Sequence, residues 1–113
     1  AVMNALASQK DPHAVMLCGT HDVVACFRSD ARFAATQGDR ISIWPLGRQT
    51  FHRSSGLRWK LDGLEMQAGG IIGTSNEATA ARVEIEAGPG DGYAVIMPVS
   101  SADTLLAAML PAD

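Results

Sequence analysis

Two short segments near the middle of the sequence carry side chains that could bind a small ring. The first, Gly56-Leu57-Arg58-Trp59-Lys60-Leu61, places a tryptophan between two cations. The second, Gly73-Thr74-Ser75-Asn76-Glu77, places a hydroxyl, an amide and a carboxylate side by side behind a glycine. A flat apolar surface beside a few convergent polar groups is the usual composition of a small-molecule site. The two segments are therefore candidates for two sides of one pocket.

Each segment also has an ordinary structural interpretation. Trp59 could belong to the core of a β-sandwich. Thr74-Ser75-Asn76 could be a simple turn, because serine and asparagine hydrogen-bond to their own backbone in turns. On residue types alone, these structural interpretations are favoured over a binding site.

The elements that must position these residues are predicted to be short strands. Turn residues such as Asp62-Gly63 and Gly69-Gly70 separate them. In the segment 57–61 the alternation places Leu57, Trp59 and Leu61 on one apolar face. Strands are predicted at 13–19, 23–28, 31–35, 40–46, 49–53, 57–61, 64–67, 70–72, 82–87 and 93–99.

Helix is expected only at the two ends of the chain. Ala1 to Gln9 has helix-forming residues, and Ser100 begins a capping signature before a short apolar helix that stops by Pro111. Short strands with turns between them and helix only at the ends predict an all-β fold, an antiparallel β-sandwich or half-barrel with short terminal helices.

Length and composition restrict the class of protein. The 113 residues suffice for one domain with a real core, and 47% of them are hydrophobic. A net charge of -3 argues against nucleic acid as a partner. No apolar stretch approaches a membrane span in length, so no membrane partner is expected. Cys18 and Cys26 fall in predicted buried strands, which favours free thiols in a reducing cytoplasm.

The sequence contains no recognisable catalytic or metal site. The three histidines show no metal-ligand spacing with one another or with the cysteines. The segment Gly69–Thr74 is rich in glycine, yet it lacks the lysine and the following helix of a phosphate-binding loop. The acidic residues are spread along strands without an obvious pair for general acid–base chemistry. The residues therefore favour a binding module over a catalyst.

A resemblance to a known family favours a binding site over the structural interpretations of the two central segments. The patterns G-L-[KR]-[WY]-x-L and, a dozen or so residues later, G-T-S-N-E resemble the C-terminal thiamine-binding domain of thiamine pyrophosphokinases. The upstream segment Ile41-Ser42-Ile43-Trp44-Pro45-Leu46 is similar to the strand that precedes them in that family. The resemblance covers roughly the whole chain, although only these three stretches are specific.

The resemblance implies that thiamine binding and catalysis belong to two different domains. Residues 11–113 are expected to form the thiamine-binding β-sandwich, and residues 1–10 the end of a truncated helix of the catalytic domain. The full-length enzyme would convert ATP and thiamine to AMP and thiamine diphosphate, with ATP and Mg²⁺ bound by the domain missing from this chain. The fragment alone is then expected to bind no cofactor and to be inactive. A homodimer in the cytoplasm is also implied.

The same resemblance assigns roles to Trp59, Ser75 and Asn76, and the charge of the ligand suggests a role for Glu77. The pyrimidine half of thiamine is expected to stack on Trp59, and its polar edge to be held by Ser75 and Asn76. Glu77 is expected nearby, where a carboxylate would favour the positive charge of the thiazolium ring. An aminopyrimidine offers a flat face for stacking and an edge of donors and acceptors, so the side chains suit the ligand.

Two other functions remain open from the residues. The chain could be a stand-alone β-sandwich that binds a sugar or another small ring through Trp59 or Trp44. It could also be a structural or oligomerisation domain with both tryptophans in its core.

Overall fold

The computed structural model describes residues 14–67 and 74–109, which form nine β-strands followed by one α-helix. A short 3-10 turn, Val99–Ser101, leads into the helix. The elements are β1 (Ala14–Cys18), β2 (Asp22–Phe27), β3 (Ala31–Ala34), β4 (Arg40–Pro45), β5 (Gln49–Ser55), β6 (Glu65–Met66), β7 (Thr74–Glu77), β8 (Arg82–Gly90), β9 (Tyr93–Pro98) and α1 (Ala102–Met109).

The strands form two sheets. A five-stranded sheet has the order β1-β2-β9-β4-β7, and a four-stranded sheet has the order β3-β8-β5-β6. Every paired neighbour runs antiparallel. The predicted antiparallel β-sandwich with a helix at its C-terminal end is therefore confirmed. The predicted helix at 1–9 and the predicted strand at 70–72 lie outside the described residues.

Alternating apolar residues from both sheets meet in one core. Val23, Ala25 and Phe27 of β2 point inward, and Val83 and Ile85 of β8 do the same from the other sheet. This is the period-two pattern of strands with one buried face. The core also includes Leu105, through which α1 packs on the strands.

Tyr93 occupies the centre of this core. Its ring lies 5.9 Å from the ring of Phe27 and 5.2 Å from that of Phe51, and its hydroxyl donates to the carbonyl oxygen of Ser29 at 2.7 Å. Burial raises the pKa of the Tyr93 phenol, and the nearby carboxylate of Asp30 adds to the effect. The core thus holds one phenol in its neutral form.

The strand predicted at 57–61 is wrong, and a glycine explains the difference. Gly56 has a φ of 81°, and a Cβ there would collide with the carbonyl oxygen of Arg82. The chain therefore turns away from β5 and forms an irregular loop, in which Leu57 makes an isolated bridge to Ala78. Leu57 and Leu61 are buried as expected, but Trp59 points to solvent.

The turn interpretation of Thr74-Ser75-Asn76 is also wrong, because these residues form strand β7. Strand β8 is longer than predicted and continues through Gly88 to Gly90. Among the described residues, no helix is long and apolar enough to cross a membrane.

Candidate functional site

The two central segments lie side by side at one edge of the five-stranded sheet. On one side, β7 pairs with β4, with Ser42 opposite Ser75. On its other side runs the loop 56–60, where the Arg58 N–H donates to the carbonyl oxygen of Glu77 at 2.9 Å. The Thr79 N–H donates to the carbonyl oxygen of Gly56 at 2.8 Å. The fold therefore brings together the segments that the sequence analysis paired.

Asn76 joins the two segments through its side chain. It is 2% exposed and faces inward, in register with Ile41. Its Oδ1 accepts hydrogen bonds from the N–H groups of Trp59 at 3.0 Å and Glu77 at 2.9 Å. Its Nδ2 donates to the carbonyl oxygen of Trp59 at 2.7 Å. These bonds give Asn76 a positioning role, whereas its predicted contact with the pyrimidine edge stays a prediction.

Trp59 presents its ring to solvent at this edge. Its side chain is 52% exposed, so the interpretation of Trp59 as sandwich core is wrong. The guanidinium carbon of Arg58 lies 4.8 Å from the ring centroid, within the range of a cation–π contact. An exposed indole on a backbone that Asn76 holds in place is a surface on which a flat ligand can stack.

Ser75 and Glu77 point away from the core, on the face of β7 opposite to Asn76. Ser75 is exposed, and Glu77 is half-buried. The Glu77 Oε2 lies 3.8 Å from Nη1 of Arg58, so its charge is shared with that cation. Ser75 and Glu77 can therefore contact a ligand from the outer face, whereas the side chain of Asn76 lies on the opposite face of the strand.

Arg58 contacts two of the predicted site residues, although its sequence position alone did not predict a role. Its guanidinium contacts the ring of one predicted site residue and the carboxylate of another. The available signal was its position directly before the tryptophan, because adjacent cations and aromatic rings commonly pair. Without the structure, Lys60 on the other side of Trp59 was an equally good candidate.

A second exposed tryptophan lies on the outer face of the five-stranded sheet. Trp44 is 43% exposed, and it follows Ser42 by two residues on β4. Ser42 is directly opposite Ser75, so the side chains of Trp44 and Ser75 share the outer face of the five-stranded sheet. Leu46, 52% exposed, follows at the end of β4. The expectation of a structural domain with both tryptophans in its core is therefore wrong.

A cavity of about 310 Å³ lies elsewhere, on the outer face of the four-stranded sheet. Its walls are mainly charged side chains that pair with one another, such as Arg53 with Glu86 at 3.1 Å and Arg32 with Glu84 at 3.5 Å. None of the four predicted site residues lines it. Because its charges are already paired at an exposed surface, it is a weaker candidate for the site than the Trp59 loop.

Comparison with known proteins points to one family. The family model described as "Thiamin pyrophosphokinase, vitamin B1 binding domain" matches residues 30–89, which are 60 of the 113 residues. The matched range contains both the Trp59 loop and β7. No curated protein matches the chain in sequence at a significant level.

Solved structures of the same description share the fold. Thiamin pyrophosphokinase from Geobacillus thermodenitrificans matches with a TM-score of 0.66 at 11% identity, over 86% of this chain and 44% of the other. Thiamine pyrophosphokinase from Bacillus subtilis matches with a TM-score of 0.62 at 16% identity, over 75% of this chain and 41% of the other. A thiamin pyrophosphokinase family protein from Enterococcus faecalis matches with a TM-score of 0.55 at 12% identity, over 74% of this chain and 39% of the other.

The chain therefore spans less than half the length of these solved structures. At such low identities the structures show the fold alone. The sequence match over more than half of the chain shows the relationship: this chain belongs to the family of the thiamin pyrophosphokinase vitamin B1 binding domain.

Proposed function

We propose that this chain is the thiamine-binding domain of a thiamine pyrophosphokinase, which transfers a pyrophosphoryl group from ATP to the hydroxyl of thiamine and releases AMP. One observation carries the proposal: the family match spans the Trp59 loop and β7, and these two segments meet around an exposed indole. Exposed aromatic rings with polar neighbours are well suited to bind a flat, cationic ligand.

In this proposal the aminopyrimidine of thiamine stacks on the free face of Trp59. The hydroxyl of Ser75 lies on the exposed face of β7, and in this proposal it bonds to the donor–acceptor edge of the ring. The carboxylate of Glu77, 3.8 Å from the guanidinium of Arg58, favours the thiazolium cation in this proposal. Asn76 contributes indirectly, because its carboxamide holds the backbone of Trp59 at both N–H and C=O.

The proposal assigns ATP and Mg²⁺ to a separate catalytic domain. Among residues 14–67 and 74–109, no group of three or more His, Cys, Asp or Glu side chains is placed to hold a metal ion. The contribution of this chain is then to hold thiamine so that its hydroxyl lies in line with the transferred phosphoryl group. We expect this chain alone to be inactive.

The proposal includes a homodimer and a cytoplasmic location. Trp44 and Leu46 are exposed on the five-stranded side, with half-buried Val24 and Ile96 on the same face of the sheet. Contiguous apolar surface of this kind commonly marks a protein interface. Cys26 is a free cysteine on that face, which is compatible with a reducing compartment.

A stand-alone module that binds a sugar or another small ring is the second candidate. The exposed ring of Trp44 supports it, because this side chain could stack on a ligand without any contribution from the Trp59 loop. The two candidates differ in which tryptophan the ligand contacts.

The chain has two tryptophans, so its NMR spectrum should show two indole N–H signals, and Trp44→Phe assigns them. We expect thiamine to shift the signal of Trp59 at millimolar or lower concentration, even if binding is weak. A panel of simple sugars and an aminopyrimidine without the thiazolium ring serves as the comparison. Shifts caused by a sugar at Trp44, with none caused by thiamine at Trp59, would favour the second candidate.

A further inference from the structure

We propose that Arg58 is a positioning residue for the ring of Trp59, held in place by Glu77. The ligand in this inference is thiamine, so that part rests on the proposed function. Asn76 fixes the backbone of Trp59, but a side chain that is 52% exposed can still rotate about its own torsions. One contact that can restrict the indole is the guanidinium of Arg58, 4.8 Å from the ring centroid.

Arg58 is itself held from two directions. Its backbone N–H donates to the carbonyl oxygen of Glu77 at 2.9 Å, and its Nη1 lies 3.8 Å from the carboxylate of the same residue. Glu77 is in turn fixed in the ladder of β7 with β4, opposite Arg40. The sheet therefore fixes Glu77, Glu77 restricts Arg58, and Arg58 restricts the ring of Trp59 at the edge of the sheet.

This arrangement has two consequences for binding. The guanidinium occupies one face of the indole, so a flat ligand must use the other face. The guanidinium also keeps the carboxylate of Glu77 next to the ring, where it can face the thiazolium cation. A planar guanidinium can stack on the ring, whereas the ammonium of a lysine is a compact point charge. Arginine and lysine are therefore not equivalent at this position.

The experiment uses this 113-residue chain with Trp44→Phe, so that all tryptophan signals come from Trp59. The test variants are Arg58→Gln, Arg58→Lys and Glu77→Gln. The matched control is Lys60→Gln, which removes the cation on the other side of the same tryptophan. Near-ultraviolet circular dichroism and the indole N–H shift are recorded without ligand, and thermal denaturation confirms that each variant is folded.

We expect Arg58→Gln to weaken the dichroism of Trp59 and move its indole signal, Arg58→Lys and Glu77→Gln to do so in part, and Lys60→Gln to leave both unchanged. The dissociation constant for thiamine should rise about two- to five-fold in Arg58→Gln, the range of an exposed cation–π contact. In a longer enzyme carrying this domain, the same change should raise KM and leave kcat unaltered.

Unchanged dichroism and indole shift in a folded Arg58→Gln variant would overturn the inference. So would equal effects of Arg58→Gln and Lys60→Gln, because any neighbouring substitution would then do the same. If neither the parent nor any variant binds thiamine, the proposed function fails for this chain, and the ligand-free signals still decide whether Arg58 positions the ring.

Discussion

The carboxamide of Asn76 bonds to both backbone polar groups of Trp59, a residue 17 positions away in the sequence. One amide side chain supplies an acceptor and a donor, as a neighbouring strand would. The loop around Trp59 can therefore remain irregular without leaving its N–H and C=O groups unpaired.

Asn76→Ala should lower the free energy of unfolding by about 1–3 kcal/mol, because part-buried backbone groups of Trp59 and Glu77 lose their partner. Asn76→Asp should destabilise as well, since a buried carboxylate cannot donate to the carbonyl oxygen of Trp59. Chemical denaturation measures both. Ser75→Ala, on the exposed face of the same strand, is the control and should stay within about 0.5 kcal/mol. Equal stability of the Asn76→Ala and Ser75→Ala variants would contradict the positioning role.

Trp59→Ala should weaken thiamine binding by about 1 kcal/mol or more, through loss of a stacking surface. Trp44→Ala is the matched control, because it removes the other exposed indole and should leave thiamine affinity unchanged. Titration calorimetry or NMR on this chain checks the prediction. In a longer enzyme, the change at Trp59 should raise KM for thiamine without altering ATP binding. Loss of binding in the Trp44 variant alone would place the ligand elsewhere.

Gln49 is fully buried and joins β5 to the turn between β8 and β9. Its Nε2 donates to the carbonyl oxygen of Gly88 at 2.9 Å, and its Oε1 accepts from the N–H of Gly92 at 2.9 Å. Its Nε2 also donates to the carbonyl oxygen of Thr50 at 2.6 Å. Gln49→Met keeps the length of the side chain and removes all three bonds, so we expect a loss of about 1–3 kcal/mol. Exposed Gln37→Met is the control in the same denaturation experiment. Equal stability of the Gln49→Met and Gln37→Met variants would contradict this role of Gln49.

The burial of Tyr93 predicts that the stability of the protein falls at alkaline pH. Its folded-state pKa is raised by burial, so its contribution to stability is complete below the unfolded pKa of about 10 and is lost as the pH rises further. Tyr93→Phe removes this pH dependence. It should also cost about 1 kcal/mol at neutral pH, because the bond to Ser29 is lost. Because Tyr93 is the sole tyrosine of the chain, the absorbance of tyrosinate follows its ionisation directly. Ionisation of the folded protein near pH 10 would contradict a buried phenol.

The sandwich could be predicted because its strands carry a clear period-two pattern. The alternation of Val83 and Ile85 with outward glutamates predicted strand β8, and the structure confirms that Val83 and Ile85 are buried. The segments that resemble the thiamine-binding family also proved to be neighbours in space. In these parts, local residue pattern and tertiary environment agree.

The Trp59 loop could not be predicted because its stabilising contacts are not local. Leu57 and Leu61 bury as an alternating strand would require, but the turn at Gly56 and the bonds from Asn76 rotate the residue between them outward. Strand β7 lacked apolar alternation, since its order comes from pairing with β4 and from an inward amide. Neither the bonds from Asn76 nor the pairing of β7 with β4 can be recognised from a few adjacent residues.

The loop that carries Trp59 also covers the free side of β7. An uncovered edge strand offers unpaired N–H and C=O groups to other chains and so promotes aggregation. The bridge from Leu57 to Ala78 and the bond from Arg58 to Glu77 occupy this edge. Substitutions that release the loop should therefore make the protein aggregate faster in solution, so solubility constrains the residues of this loop.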